Sequence, residues 1–252
     1  MINLILSHFL SCVILELKMK LDELSVFFPA YNEEGNIKKT VQSALKVLPS
    51  VAKKYEIIIV NDGSKDKTGA IADRLAKEIS QVKVINHPQN CGYGEALKSG
   101  YYNAQYGWIA CTDADGQFDF SEITKLLEKA KDCEVVIGYR INRQDSLLRK
   151  FNGWGWTVLV NLLFNLNVRD VDCSFKLVKR EVIKKIPRLE STRGGMISPE
   201  LLAKAKKAGF KIGEVGVHHY PRGTGGQTGA NLRVIFQSFI DLFKLWKILR
   251  KK

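Results

Sequence analysis

Hydrophobic and polar positions alternate along this chain in a regular strand–helix rhythm. LSVFFPA (24–30) is an apolar, β-rich run stopped by Pro29. From about Glu33 to Leu48, Ile37, Val41, Ala44, Leu45 and Leu48 recur at helical spacing. YEIIIVND (55–62) is continuously apolar, as in a strand of a parallel sheet covered on both faces. The pattern then predicts a helix over 66–79, a strand over 82–86 and a helix over 94–105. WIACTDAD (108–115) is a strand ending in acids, and EVVIGYR (134–140) is the next strand. Between them lies a helix over 121–130, with Ser121 as its expected N-cap. This alternation predicts an α/β fold with a mostly parallel sheet flanked by helices.

After Arg140 the rhythm changes. Residues 146–166 read as a long apolar helix, and short strands are expected near 173–178 and 212–218 with a helix at 199–208 between them. A glycine-rich loop, RGTGGQTG (222–229), precedes a last helix over 231–252. There is no internal repeat and no Pro/Ser linker, so the chain reads as one domain over 24–230 with two functional halves, 24–140 and 141–230. The stretch before it (1–23) reads as an extension. Its first 18 residues are too short and too polar for a membrane span and lack a signal-peptide pattern. They fit a segment ahead of a start at Met19, with an interfacial helix as the alternative.

Composition narrows the class. With 252 residues, 45% hydrophobic and 26% charged, the chain is long enough for a substantial core and is neither disordered nor of low complexity. Its mean hydropathy of −0.11 excludes a multi-span membrane protein. Five scattered cysteines without a C-x-x-C pair exclude a disulfide scaffold or zinc ribbon and suggest a reducing compartment. The net charge of +13 is unevenly placed: residues 1–126 carry 14 Lys+Arg and 15 Asp+Glu, net −1, and residues 127–252 carry 25 and 11, net +14. A basic half suits an anionic partner, namely nucleic acid, a phosphate-bearing substrate or an acidic membrane, or else a solvated lysine surface.

In open α/β sheets, ligands bind beyond the carboxyl ends of the strands. Those ends carry Pro29, Ala30, Tyr31, Asn32 and Glu33, then Asn61, Asp62, Gly63 and Ser64, then Asn90, Gly92 and Gly94, and lastly Asp113, Asp115 and Gln117. Asp113 and Asp115 at a strand end offer hard oxygen ligands suited to Mg²⁺ or Mn²⁺, against a plain solvated turn. Asp62 is placed to accept hydrogen bonds from a nucleobase or to cap the next turn, a task Ser64 or Asp66 could also do. Gly92 and Gly94 begin a G-x-G, but position 97 is Leu, and no P-loop is present, which disfavours dinucleotide and P-loop enzymes.

Taken in order, FFPAYNEEGNI, VNDGSKDKT, NCGYGEALKSG and TDADGQF resemble the family 2 glycosyltransferases of the GT-A fold, and within them the dolichyl-phosphate mannose/glucose synthase-like branch. The resemblance covers about 24–230. It implies nucleotide-sugar binding by Pro29, Ala30, Tyr31, Glu33, Asp62 and Asp113, and a metal held by Asp113, Asp115 and Gln117. Gly116 replaces the Leu of the commoner D-A-D-L-Q. Arg140 and Arg143 fall where the family binds the acceptor phosphate, and Glu200 where relatives carry an acid facing the acceptor. DVDCSFKLVKREV resembles D-x-x-S-G-F with Phe175-Lys176 in place of Gly-Phe. YPRGTGGQTGANLR resembles R-x-x-G-x-S-K, with Arg222 matching the Arg and Gln227-Thr228 near the Ser-Lys positions.

The implied reaction is inverting transfer of a hexose from a GDP- or UDP-sugar to a polyprenyl phosphate, with Asp115, Arg222 and Glu200 as candidate catalytic residues and Mg²⁺ or Mn²⁺ as cofactor. An acceptor phosphate is already a nucleophile and needs no strong base. A glycan or other hydroxyl acceptor would need one, and Glu200 is the candidate. The last helix combines Ile235, Phe236, Phe239, Ile240, Phe243, Trp246 and Leu249 with Arg233, Lys244, Lys247, Arg250, Lys251 and Lys252. It suits an anionic membrane surface or packing on the domain's own core. The expected setting is peripheral, on the cytoplasmic face of a membrane, with a membrane partner subunit as an option. No nucleic acid is expected, because no recognised module appears and strand-end acids repel phosphates.

Overall fold

The computed structural model describes residues 20–143, 147–192, 194–222 and 232–250. The N-terminal 18 residues and the loop with Gln227-Thr228 lie outside the described residues, as do the side chains of Arg233, Ile235 and Phe236.

Seven strands form one sheet: β1 (Leu21–Ala30), β2 (Ala52–Asn61), β3 (Val82–Asn86), β4 (Trp108–Cys111), β5 (Val135–Ile141), β6 (Lys176–Lys179) and β7 (Ile212–His218). Their order is β3-β2-β1-β4-β6-β5-β7. The first four strands in this order run parallel. β6 is antiparallel to both β4 and β5, and β5 pairs β7 in parallel. β6 alone therefore runs against the other six.

The helices are α1 (Ile37–Val51), α2 (Thr68–Glu78), α3 (Tyr93–Asn103), α4 (Ile123–Lys129), α5 (Leu147–Phe164), α6 (Arg180–Lys185), α7 (Gly194–Lys207) and α8 (Leu232–Arg250). They cover both faces of the sheet. On one side Phe27, Ile58, Ile109 and Ile137 pack with Leu97 and Tyr101 of α3, Leu201 and Leu202 of α7, and Leu242 of α8. On the other, Val26, Phe28, Ile57 and Ile59 pack with Val41 and Leu48 of α1, Leu75 of α2 and Leu126 of α4. Successive strand residues point to opposite faces, so two-sided burial demands the unbroken apolar runs seen in the sequence. Gly100 lets α3 lie directly on β1, for a Cβ there would stand 2.2 Å from the Phe27 ring.

The predicted elements are present with several shifts. β1 starts at Leu21, three residues early, because Leu21 pairs with Ala52. α1 starts at Ile37, since Asn32 takes a left-handed φ of 55° and the chain turns before it can wind. β4 ends at Cys111, leaving 112–115 as a turn. The helix at 120 begins as a short 3-10 turn over 120–122, and its cap is Asp119, whose carboxylate accepts from Ser121 N, rather than Ser121. α6 was not anticipated; six residues are too few to show periodicity. Within the basic half, Lys176 and Lys204 are buried rather than part of a solvated lysine surface. Lys176 donates to the Cys173 carbonyl and Lys204 pairs with Glu200. The four described cysteines are unpaired.

Candidate active site

The carboxyl ends of β1, β2 and β4 open on one edge of the sheet. The loops after β1 and β2 are zipped together there. Asn32 N donates to Ser64 Oγ (3.0 Å), Glu33 N to Thr68 Oγ1 (2.7 Å) and Glu34 N to Asp66 Oδ2 (3.2 Å). Lys65 N and Lys67 N donate back to Asn32 Oδ1 and Glu34 Oε2, both at 2.9 Å. Asp66 also holds the turn into α2, accepting from Thr68 N at 2.9 Å, a task that does not fall to Asp62. Pro29 and Ala30 lie inside β1 opposite Val60 and Asn61, and half-buried Tyr31 follows them at the rim.

Asp62 is buried and receives three groups. Cys91 N and Gly92 N donate to its two oxygens at 2.9 Å each, and His87 Nδ1 lies 2.7 Å from Oδ1. His87 Nε2 in turn meets Ser99 Oγ at 2.9 Å. Asp62 thus fixes the loop leading into α3 at the strand-end edge. His87 went unnoticed in the sequence, although it stands one residue past β3, the position that flagged its neighbours. Asp62, His87 and Cys91 also form the one three-residue cluster of ligand-type atoms among the described residues. Hydrogen bonds already occupy it.

The acidic pair sits across from this loop. Tyr93 Oη donates to Asp113 Oδ1 at 2.6 Å, and burial together with the Asp113 charge holds the phenol's pKa well above its usual value. Thr40 of α1 anchors the turn by donating to the Ala114 carbonyl at 3.0 Å. Asp115 is buried and accepts from Gln117 N at 3.0 Å. Burial, then the nearby Asp113 charge, pushes its carboxyl up to about 7. Gly116 between them has φ +74°, a left-handed turn that glycine adopts without strain.

Arg222 closes the site from the second half. Its guanidinium pairs with Glu33 and lies 3.6 Å from Asp115 Oδ2. Gln117 ties the same segment down, its side-chain amide donating to the Tyr220 carbonyl and its own carbonyl accepting from Tyr220 N, both at 2.9 Å. Glu33, Asp115, Gln117 and Arg222, which span 190 positions of sequence, therefore meet at one place. Two close carboxylates, one buried and answered by an arginine, fit a hard divalent cation. Asp113 and Asp115 are the residues that would hold it.

Three expected site residues have other partners. Arg140 makes a two-pronged pair with buried Asp170, Nε and Nη2 donating at 2.6 and 2.8 Å. Burial opposes the charge of Asp170, but hydrogen bonds and charge from Arg140 outweigh it and hold the carboxyl below its usual value. Arg143 lies against Gly153 of α5. Glu200, 1% exposed, is buried with both carboxylate oxygens occupied. It accepts from Glu190 N (2.9 Å), Ser191 N (2.8 Å) and Lys204 Nζ (2.5 Å). It supports the loop whose Thr192 carbonyl accepts from Gly94 N, at the start of α3. Apart from the Glu200–Lys204 pair at helical spacing, these pairings join residues 9 or more positions apart, and no local pattern announces them.

A mostly parallel seven-stranded sheet flanked by helices, with an acidic turn after its central strand β4, is the GT-A architecture. A glucosyl-3-phosphoglycerate synthase of Mycobacterium tuberculosis shares it, with a TM-score of 0.64 at 16% identity over 90% of this chain and 80% of that one. Residues 25–187 match the sequence profile of Glycosyl transferase family 2, and the chain belongs to that family. It is 36% identical over 208 residues to a dolichyl-phosphate beta-glucosyltransferase of Trichomonas vaginalis, covering 77% of this chain and 64% of that protein. A protein of the same description from Dictyostelium discoideum is 33% identical, covering 77% and 65%. A dodecaprenyl-phosphate galacturonate synthase of Rhizobium johnstonii is 27% identical, covering 91% and 68%. The chain thus spans less than two thirds of the length of the first two.

Proposed function

We propose that this chain transfers a hexose, with inversion, from a nucleoside-diphosphate sugar to a polyprenyl phosphate. The observation that carries this reading is the meeting of Arg222 with Glu33 and Asp115 beside the Asp113–Tyr93 pair. In the reaction, C1–O cleavage leaves negative charge on the departing diphosphate. Arg222 is the cation of this chain poised to meet it, once a donor draws the guanidinium off Glu33. Tyr93 orients Asp113, Thr40 and Gln117 fix the turn that carries Asp115, and Asp62 shapes the loop against which the nucleotide rests. Asp113 and Asp115, with Gln117 alongside, would hold a Mg²⁺ or Mn²⁺, which when bound would supply further positive charge for the leaving group.

An acceptor phosphate attacks as an anion, and the inward-turned Glu200 accords with a site that needs no base. The names of relatives support a lipid-phosphate acceptor and make glucose the first sugar to try. Either UDP or GDP serves as the donor nucleotide in this reading, and the cytoplasmic membrane face, with or without a partner subunit, is its setting. The test incubates the protein with UDP- and GDP-hexoses, Mn²⁺ or Mg²⁺ and polyprenyl phosphate. The expected product is a glycosylated lipid phosphate from one donor. Sugar transfer to hydroxyl acceptors alone would overturn the reading.

A further inference from the structure

The loop that leads into α3 gathers three kinds of metal-binding side chain at one point. An oxygen of Asp62, a ring nitrogen of His87 and Cys91 Sγ all lie within 4.8 Å of one another. Burial grades outward: Asp62 is buried, His87 half-buried and Cys91 exposed, so a cation can enter from solvent on the sulfur side. Zn²⁺ takes carboxylate, imidazole and thiolate at about 2.0–2.3 Å, which sets tetrahedral ligand atoms about 3.4–3.6 Å apart. The His87–Asp62 pair, at 2.7 Å, need only part slightly. The Cys91 thiol, whose one bond is to the Gln89 carbonyl at 3.3 Å, need only swing in. The hydrogen bonds that occupy the cluster do not bar a cation. The proton shared by His87 Nδ1 and Asp62 Oδ1 sits where a cation would sit. His87 Nε2 lies 2.9 Å from Ser99 Oγ, and a hydroxyl can donate or accept, so it suits the ring with its proton on either nitrogen. With the proton on Nε2, Nδ1 becomes a ligand, and Ser99 is the outer partner that orients the ring. Gly92 N holds Asp62 Oδ2 at 2.9 Å and leaves Oδ1 turned to His87.

We propose that Asp62, His87 and Cys91 form a second cation site, for a divalent metal of the Zn²⁺ class, and that filling it shuts out the nucleotide sugar. Ligand chemistry separates this site from the acidic turn. Asp113 and Asp115 offer oxygens alone, which suit Mg²⁺ or Mn²⁺, whereas a thiolate and an imidazole favour Zn²⁺ or Co²⁺. The shut-out rests on the nucleotide-sugar reading above, in which the nucleotide lies on the loop that Asp62 shapes. A cation on Asp62 Oδ1 draws the Cys91 side chain inward and parts the His87–Asp62 pair, which changes that loop and adds a positive charge to it.

The test uses the full chain, reduced and saturated with Mg²⁺, and titrates it with Co²⁺ as a spectroscopic stand-in for Zn²⁺. Wild type is expected to develop a near-ultraviolet thiolate-to-cobalt charge-transfer band, which added Zn²⁺ erases. Cys91→Ser keeps the backbone donor to Asp62 and should lose the band. Ser99→Ala, which reaches the site only through His87 Nε2, should keep the band and need about tenfold more Co²⁺ to fill it. A UDP- or GDP-hexose should bleach the band. Zn²⁺ should raise the apparent KM for the sugar donor at unchanged kcat, each protein being compared with its own zinc-free rate. A wild type without the band, or a band that survives Cys91→Ser, overturns the site. Zn²⁺ inhibition undiminished in Cys91→Ser overturns the shut-out and moves the inhibition to the acidic turn. A Cys91-dependent band that neither nucleotide sugar bleaches also overturns the shut-out while the cation site stands. If the band behaves as described and no donor supports sugar transfer, the site stands and the transferase reading fails.

Discussion

The single side chains of greatest consequence are those whose neighbours were hidden in the sequence. Asp115 shares its turn with Asp113 and faces Arg222, so its loss removes both a cation ligand and an anchor for the arm. Asp115→Asn is expected to lower transfer about a hundredfold or more, and chelation by EDTA to do the same. Initial rates with and without added Mn²⁺ check this, and full activity in EDTA would sink the metal role. Glu200→Gln leaves the Lys204 ammonium buried without its counter-charge and replaces one acceptor with a donor facing a backbone N–H. It should cost about 3–5 kcal/mol of stability, read by urea unfolding. The acids at the strand ends were legible because topology alone says where ligands bind. The inward turn of Glu200 was not, because its donors come from Glu190, Ser191 and Lys204 and are set by how α7 packs.

Among the elements, α3 and β5 carry the sharpest consequences. α3 sits so close to β1 that Gly100→Ala would drive a methyl into the Phe27 ring; about 1–3 kcal/mol of destabilisation is expected, seen as a lower Tm. Near the end of β5, Arg140 is clamped to Asp170. The folded carboxyl titrates below its unfolded value, so the clamp's stabilisation is full above the unfolded value, near pH 4, and fades as pH falls through the lower folded one. Asp170→Asn should therefore be less stable than wild type at neutral pH, with the gap closing in acid. Unfolding curves across that range measure it. Strands and long helices could be read from the chain because two-sided burial and amphipathic spacing are local signals. Caps and short pieces could not: Asp119 outcompetes Ser121 as a cap, and α6 is held by the strand before it.

At the scale of the whole molecule, the uneven charge acquires geography. The neutral half builds the strand-end loops, and the basic half contributes Arg222 over the site, Arg143 beside α5 and the exposed lysines of α8. Because Arg222 spans to Glu33 from 189 positions away, donor and cation should tighten both halves together. At a hundredfold excess over Kd, binding adds about 2.7 kcal/mol to folding stability. Thermal unfolding with Mn²⁺ and the active nucleotide sugar should show a raised Tm, and Asp115→Asn should lose the Mn²⁺-dependent part.

β6 has one more consequence. Its four residues arrive in the middle of the sheet, between β4 and β5, only after more than sixty residues of intervening chain. Until they dock, the parallel block that ends at β4 and the strand β5 have open facing edges. The central seam thus stays open until a growing chain reaches its second half, and β7 joins β5 only after that. A fragment ending before Lys176 would expose those edges to other chains, so it should aggregate rather than fold as a smaller enzyme.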